Sequence, residues 1–447
     1  MHDLGAIVKA YDIRGVVPDE LDAEVAEAVG RAAAVELGAP AIVVGRDMRP
    51  SSQELSGAFM AGVREQGVDT IDAGLASTDL VYFASGRLGV PGAMFTASHN
   101  PAEYNGIKLC RAGAEPVSLD SGLAEIRDRA QSGDLPRAGS PGGHREQDML
   151  SDYAQHVRSF VDVRAMQPLK VAVDAGNGMA GHVVPAVFEG LPLDVVPLYF
   201  ELDGRFPNHP ANPIEPENLR DVQKAVREHA CDIGLAFDGD ADRMFCVDEE
   251  GRPVSPSLVT AVIAETLLRR NPGATVLYNL ITSRVVPETV EAAGGQAVRT
   301  RVGHSFIKAR MKDTGAVFAG EHSGHYYFKD NFRADSGLIA AVLLLEALGA
   351  SGGPLSKVVS PYDRYAASGE INRRVDDQRE ALRRVAEAFA GQGSQDFCDG
   401  LTHTGDGWWF NLRPSNTEPL LRLNVEADDV ATMESVRDRV TALVGEA

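Results

Sequence analysis

Three observations predict an α/β fold with a different domain at its C-terminal end. First, short apolar runs rich in β-branched residues alternate with longer helical stretches along most of the chain. Second, three of these runs end in a polar turn and lead into a helical pattern. Residues 41–44 run into Gly45, Arg46 and Asp47, residues 169–173 into Asp174, and residues 274–278 into Asn279. One such unit in each successive third of the chain hints at a diverged, repeated domain. Third, the pattern changes near Ser360 and Pro361. Trp408, Trp409, Phe410 and residues 420–425 read as strands, and residues 428–444 as a helix. Since 447 residues exceed what one core organises, several domains are expected, and four fit the pattern better than three. Residues 132–143 are rich in turn formers and poor in apolar side chains, which suits a linker. The expected domains span residues 1–147, 148–252, 253–363 and 364–447.

Composition narrows the function. The chain is 44% hydrophobic and 24% charged, and 43 Lys+Arg against 64 Asp+Glu leave a net charge of -21. Nucleic acid is therefore not an expected partner, because phosphate backbones require a basic footprint. A small anionic ligand in a locally basic cleft remains compatible with this charge. Cys110, Cys231, Cys246 and Cys398 are widely spaced with no C-x-x-C pair, which speaks against a zinc site or a disulfide framework and for a reducing compartment. The first residues lack a leader pattern, and the longest apolar stretch, near residues 337–346, is broken by Glu346 and too short to span a bilayer. A cytoplasmic protein without a membrane partner is expected.

The chemistry concentrates in a few motifs. In the DGDADR run at 238–243, Asp238, Asp240 and Asp242 follow an apolar run and precede another. Carboxylates this close repel unless a cation neutralises them, and a hard divalent ion such as Mg²⁺ is the natural occupant. An EF-hand is the first rival. Glu249 does fall at the twelfth loop position, but Arg243 occupies the sixth, where that loop needs Gly, and the flanks read as strands. In the TASHNP run at 96–101, Ser98 sits among small and polar residues after an apolar run, yet no G-x-S-x-G elbow suggests acyl transfer. The remaining nucleophilic role is to accept and return a phosphoryl group beside a metal. Arg413, Ser415, Asn416 and Thr417 put a guanidinium, two hydroxyls and an amide within five residues, the composition of a phosphate cradle.

Together TASHNP, the YNGIK run at 104–108, DGDADR, the GEHSGH run at 320–325 and the RPSNTEP run at 413–419 resemble the α-D-phosphohexomutase family, in particular its bacterial phosphomannomutase/phosphoglucomutase branch. The motifs occur in family order across nearly the whole chain. The resemblance implies an α/β fold of three related mixed-sheet α/β domains plus a smaller C-terminal α+β domain around a central cleft, with Mg²⁺ as cofactor, hexose 1,6-bisphosphate as activator, sugar phosphates as ligands, and a monomer or weak homo-oligomer. It implies that Ser98 carries the phosphate and, with Asp238, Asp240 and Asp242, binds the metal. His99, Lys108, Arg14, His325 and His304 are its implied catalytic groups, the two later histidines being the proton handlers. Tyr11, Arg243, Arg284, Glu321, Ser323, Arg413, Ser415, Asn416, Thr417 and Arg422 are its implied substrate contacts, with Glu321 and Ser323 on the sugar hydroxyls at C3 and C4. The implied reaction interconverts hexose 6-phosphate and hexose 1-phosphate, mannose first and glucose also, as the fourth domain closes about a hinge near residues 361–369. Phosphoglucosamine mutase and a Mg²⁺-dependent sugar phosphatase are the rival activities, and a metabolite sensor the rival without catalysis. His322 stands where the family often has Met or Lys, and nothing in the sequence accounts for that change.

Overall fold

A computed structural model of the chain describes residues 3–133, 135, 138–414 and 420–445. Three mixed α/β domains are followed by one built on an antiparallel sheet. The repeat hinted at by the polar turns is present in the strand order. In the first sheet the strands Tyr104–Arg111, Gly92–Phe95, Ala41–Arg46 and Asp69–Leu75 lie side by side. The second places Met244–Val247, Ile233–Phe237, Leu169–Asp174 and Leu193–Leu198 in the same order, and the third Tyr326–Phe328, Phe318–Gly320, Thr275–Asn279 and Gln296–Thr300. In each, the last three of these four strands are parallel and the first returns antiparallel.

This shared order decides where the chemistry sits. The loop joining each parallel strand to its antiparallel return is the serine loop at 96–103, the aspartate loop at 238–243, or the loop at 321–325. A parallel sheet leaves its ligand-binding loops at the carboxyl ends of its strands, so equivalent loops from three sheets can face one another. The feeding strands are buried throughout, Gly92–Phe95, Ile233–Phe237 and Phe318–Gly320 alike. Burial on both faces explains why they read as continuous apolar runs. The second sheet also takes in Pro253–Val254, beyond the expected boundary at residue 252.

One apolar core runs through the first three domains. It joins Val43 and Met94, Val171 and Leu235, and Val276 and Phe318 around the helix Gly337–Ser351. That helix is the apolar run noted in the sequence. Leu338 through Leu345 are buried on every side, as expected of a helix apolar all round. Ser336 caps its first turn by accepting from the Ile339 amide. Among the described residues no helix is long and apolar enough to cross a membrane. The fourth domain has its own core, centred on Phe389, Phe410, Leu423 and Val440. Polar contacts join it to the third domain: Arg284 Nη2 donates to Asp428 Oδ1 at 2.6 Å, Arg299 pairs with Asp396, and the Val302 amide reaches Asp399 at 3.3 Å.

Candidate active site

The buried strand Gly92–Phe95 delivers Ser98 into the space between the first and second sheets. Ser98 has φ +50°, a left-handed conformation that costs a non-glycine residue about 1–2 kcal/mol. Its Oγ donates to Asp238 Oδ2 at 2.7 Å, and His99 Nδ1 lies 3.2 Å from the same Oγ. Arg243 Nη2 donates to Ser98 Oγ at 3.3 Å and to His99 Nδ1 at 2.5 Å. Burial and then the Arg243 guanidinium push His99 well below the usual histidine range. It is a neutral acceptor here and not a cation.

The three aspartates are buried together, each offering an oxygen within 4.8 Å of the others. Asp238 receives Arg243 Nε at 2.8 Å. Lys108 Nζ reaches Asp240 Oδ2 at 2.7 Å and Asp242 Oδ2 at 2.8 Å. Thr78 Oγ1 donates to Asp240 Oδ2 at 2.5 Å. Burial pushes the Asp238 carboxyl up to about 8, with Arg243 opposing and the two neighbouring aspartates adding to the rise. Burial acts the same way on Asp240, but Lys108, Thr78 and Arg243 outweigh it and hold that carboxyl well below the usual range. Asp240 Oδ1 is buried with no hydrogen-bond partner. An unpaired carboxylate oxygen inside a converging carboxylate triad fits a hard, oxygen-seeking divalent cation, so the donor set matches the expected Mg²⁺.

The loop of the third domain closes on the aspartate loop. Arg243 and His325 form an antiparallel backbone bridge, and the Met244 amide donates to the Gly324 carbonyl at 3.1 Å. Gly324 has φ +84°, and a Cβ there would stand 2.6 Å from the Phe245 ring, so both conformation and close approach require glycine. His325 Nε2 lies 3.6 Å from Asp242 Oδ1, and its Nδ1 lies 3.1 Å from Ser323 Oγ. Glu321 is almost wholly buried. It accepts from Asn279 Nδ2 at 3.0 Å and from Tyr327 OH at 2.7 Å, so its oxygens already have partners before any sugar arrives.

Other expected site residues fall nearby. Arg14 donates to Asn100 Oδ1 at 2.8 Å and pairs with Asp12, which puts it against the serine loop. Tyr11 packs edge-on against His304 with ring centroids 4.9 Å apart. Burial, with Lys308 and Lys108 close by, pushes His304 down to about 3. Arg413 and Arg422 face each other as a cross-strand pair, bridged by Glu370 at 3.1 and 3.2 Å. Ser415, Asn416 and Thr417 lie outside the described residues. Arg284 stacks over Tyr365 at 3.9 Å and bonds the Gly407 carbonyl and Asp428. It joins the third domain to the fourth. His322, unexplained by sequence, sits at the same seam, with Nδ1 3.3 Å from Ser257 Oγ.

Sequence reasoning passed over Thr78, Arg49, Glu370 and the buried pair Lys308–Asp335, whose atoms lie 3.0 Å apart. None of them carries a signal that its own stretch of sequence could show.

This set of fold and loops defines a phosphosugar mutase class, and comparison with known proteins agrees. The phosphoglucomutase/phosphomannomutase alpha/beta/alpha domains I, II and III match residues 5–137, 151–251 and 255–365, and the family's C-terminal domain matches residues 370–443. The chain belongs to the phosphoglucomutase/phosphomannomutase family. A protein named "Phosphohexose mutases" from Xanthomonas campestris pv. campestris is 42% identical over 442 residues, covering 98% of each chain. A "Phosphomannomutase" from Escherichia coli K12 is 40% identical over 451 residues, again covering 98% of each. The crystal structure of a phosphoglucomutase/phosphomannomutase family protein from Burkholderia thailandensis superposes with a TM-score of 0.91 at 34% identity. It covers 100% of this chain and 99% of that one.

Proposed function

We propose that the protein is a phosphohexomutase that interconverts hexose 6-phosphate and hexose 1-phosphate, with mannose as principal sugar and glucose accepted. Near full-length relatives named as phosphohexose mutases and phosphomannomutases support the activity. The observation that carries the reading is the hydrogen bond from Ser98 Oγ to Asp238, inside the carboxylate triad and under Arg243.

Phosphorylated Ser98 gives its phosphoryl group to the free O6 or O1 of a hexose monophosphate. The P–Oγ bond breaks, a P–O bond to the sugar forms, and a 1,6-bisphosphate results. The sugar turns over, Ser98 Oγ takes the other phosphate, and the isomeric monophosphate leaves. Added hexose 1,6-bisphosphate acts as activator because it rephosphorylates an empty Ser98. Asp238, Asp240 and Asp242, with an oxygen of the serine phosphate, would hold Mg²⁺, whose charge offsets that of the transferring group. Arg243 steadies the serine oxygen from the other side. The sugar hydroxyl must lose a proton. Lys108 is an ammonium tied to two carboxylates, and His304 is too weak a base at a pKa of about 3. His325, between Asp242 and Ser323, is the histidine placed for the task. Glu321 and Ser323 hold the hydroxyls shared by mannose and glucose, so C2 is read loosely. Arg413 and Arg422, with the adjoining loop, grip the phosphate that is not reacting.

The test follows ³¹P signals of the purified protein with Mg²⁺ and mannose 1-phosphate, then glucose 1-phosphate. Conversion to the 6-phosphate, lost in Ser98→Ala, is expected. Steady release of inorganic phosphate would identify a phosphatase, and a preference beyond ~100-fold between the sugars would contradict a loosely read C2.

A further inference from the structure

Arg49 takes no part in the reaction as written, yet it is the side chain most fully committed to the serine loop. It is 2% exposed and sits in the turn between the strand Ala41–Arg46 and the helix Ser52–Glu65. Its guanidinium donates to four backbone carbonyls: Nη2 to Ser98 at 2.9 Å and Asn100 at 2.6 Å, Nη1 to Pro101 at 2.6 Å and Tyr104 at 2.9 Å. Nε turns back to Asp47 at 3.2 Å, and Asp47 is itself fixed by the Arg49 amide and by Ser52 Oγ. Every nitrogen of the fork is used, an arrangement that only a planar five-donor group can satisfy.

The second domain presses on the same assembly from two directions. The Phe206 ring lies 5.1 Å from the guanidinium carbon. Gly239, between the first two aspartates, meets the Ser98 carbonyl so closely that a Cβ there would stand 2.3 Å from it. Arg49 donates to this carbonyl and the aspartate loop packs against it, and it belongs to a residue in a left-handed conformation. Without the guanidinium, the Ser98 and Asn100 carbonyls would lose this donor and the Pro101 carbonyl would keep only the Tyr104 amide, and the backbone under Ser98 would be free to relax out of that conformation.

We infer that Arg49 is a positioning residue: it locks the backbone of Ser98 in register with Asp238 across the boundary between the first two domains, and so sets the rate at which Ser98 gains and loses phosphate without contributing to sugar binding. The inference rests on the reading of Ser98 as phosphate carrier.

The experiment compares wild type with Arg49→Lys, whose ammonium keeps the charge but cannot reach four carbonyls. Phosphate uptake by Ser98 from glucose 1,6-bisphosphate is timed by intact mass, and kcat and KM are measured in the same preparations. Rates are normalised to the final phosphate per chain, so unfolded molecules do not count. Expected are an uptake rate and a kcat reduced by about 30-fold or more, with KM within about threefold, since misplacement of a reacting group by an ångström costs this order. Phe206→Leu, which spares every hydrogen bond of Arg49, is expected to slow uptake by about threefold or more, and it decides the matter if Arg49→Lys does not fold. An uptake rate in Arg49→Lys within about threefold of wild type, an unchanged rate in Phe206→Leu, or a loss confined to KM would overturn the inference. Wild-type protein that gains no phosphate would instead overturn the phosphoserine reading, and that is seen before any variant is made.

Discussion

Replacing Glu370 by alanine is expected to tighten phosphosugar binding while weakening the domain that provides it. Arg413 and Arg422 are direct cross-strand neighbours on the strands Trp408–Pro414 and Leu420–Ala427. Like charges so placed are destabilising, and in the ligand-free protein Glu370 from the next strand relieves them. One of its oxygens lies 3.1 Å from Arg413, the other 3.2 Å from Arg422. The side chains of Arg422 and Glu370 are 30% and 27% exposed, so each pair is worth about 0.5–1 kcal/mol and the two together about 1–2 kcal/mol. On the proposed reading an arriving phosphate competes with Glu370 for the same guanidiniums, whose Nε atoms have no hydrogen-bond partner among the described residues. Removing the competitor should return that free energy to binding, lowering Kd by about 5–30-fold at 1.4 kcal/mol per decade. The same 1–2 kcal/mol is lost from the ligand-free fourth domain. Calorimetric titration of glucose 1-phosphate into Glu370→Ala in a Ser98→Ala background, where no turnover intervenes, measures the first effect, and a thermal melt without ligand the second. Glu370→Gln should fall between. An unchanged or weaker affinity would show that Glu370 is not held where the phosphate goes.

Asp240→Asn removes one charge from the triad and should cut mutase activity by about 10²–10³-fold. It should also abolish the rise in melting temperature that Mg²⁺ gives the wild type, a linkage worth about 2.7 kcal/mol at a hundredfold excess over Kd; an equal rise in both proteins would remove the triad as the cation site. Because His304 is neutral at every working pH, with a pKa near 3, His304→Gln should leave the acid limb of the kcat/KM profile in place, and a displaced limb would restore His304 as proton handler. His403 is buried, stacked 5.1 Å from Trp408 and 5.6 Å from Phe410. Burial, with Arg439 nearby, lowers its pKa in the folded state. The unfolded chain therefore binds the proton more readily, and the stability His403 allows is complete above about pH 6.5 and lost as pH falls below it. His403→Phe should flatten that acid-side loss in thermal melts from pH 8 to pH 5, whereas an unchanged slope would place the acid sensitivity elsewhere.

How far a sequence discloses such a site depends on whether a residue acts through its neighbours in the chain or through distant ones. Asp238, Asp240 and Asp242 are legible because their mutual repulsion is a local fact; three carboxylates at alternate positions need a cation wherever the chain takes them. The feeding strands are legible for a similar reason, since burial on both faces leaves an unbroken apolar run. The repeated strand order was only hinted at, because a polar turn after a strand marks any α/β unit, and the antiparallel return that makes the three sheets alike has no signature of its own. Thr78 and Arg49 are illegible for the opposite reason. A threonine at a helix start and an arginine in a turn are ordinary locally; their roles arise only when Asp240 arrives from 162 residues away and the Ser98 carbonyl from 49. Arg284 is a third case. It lies beside the polar turn of the third repeat, and nothing in that stretch shows that its guanidinium satisfies Asp428, the Gly407 carbonyl and the Tyr365 ring on the fourth domain. Those contacts are polar and partly exposed, whereas the first three domains share one apolar core. The junction is thus the mechanically weak one, and the proposed turning of a bisphosphate, released and recaptured by the fourth domain, calls for weakness there.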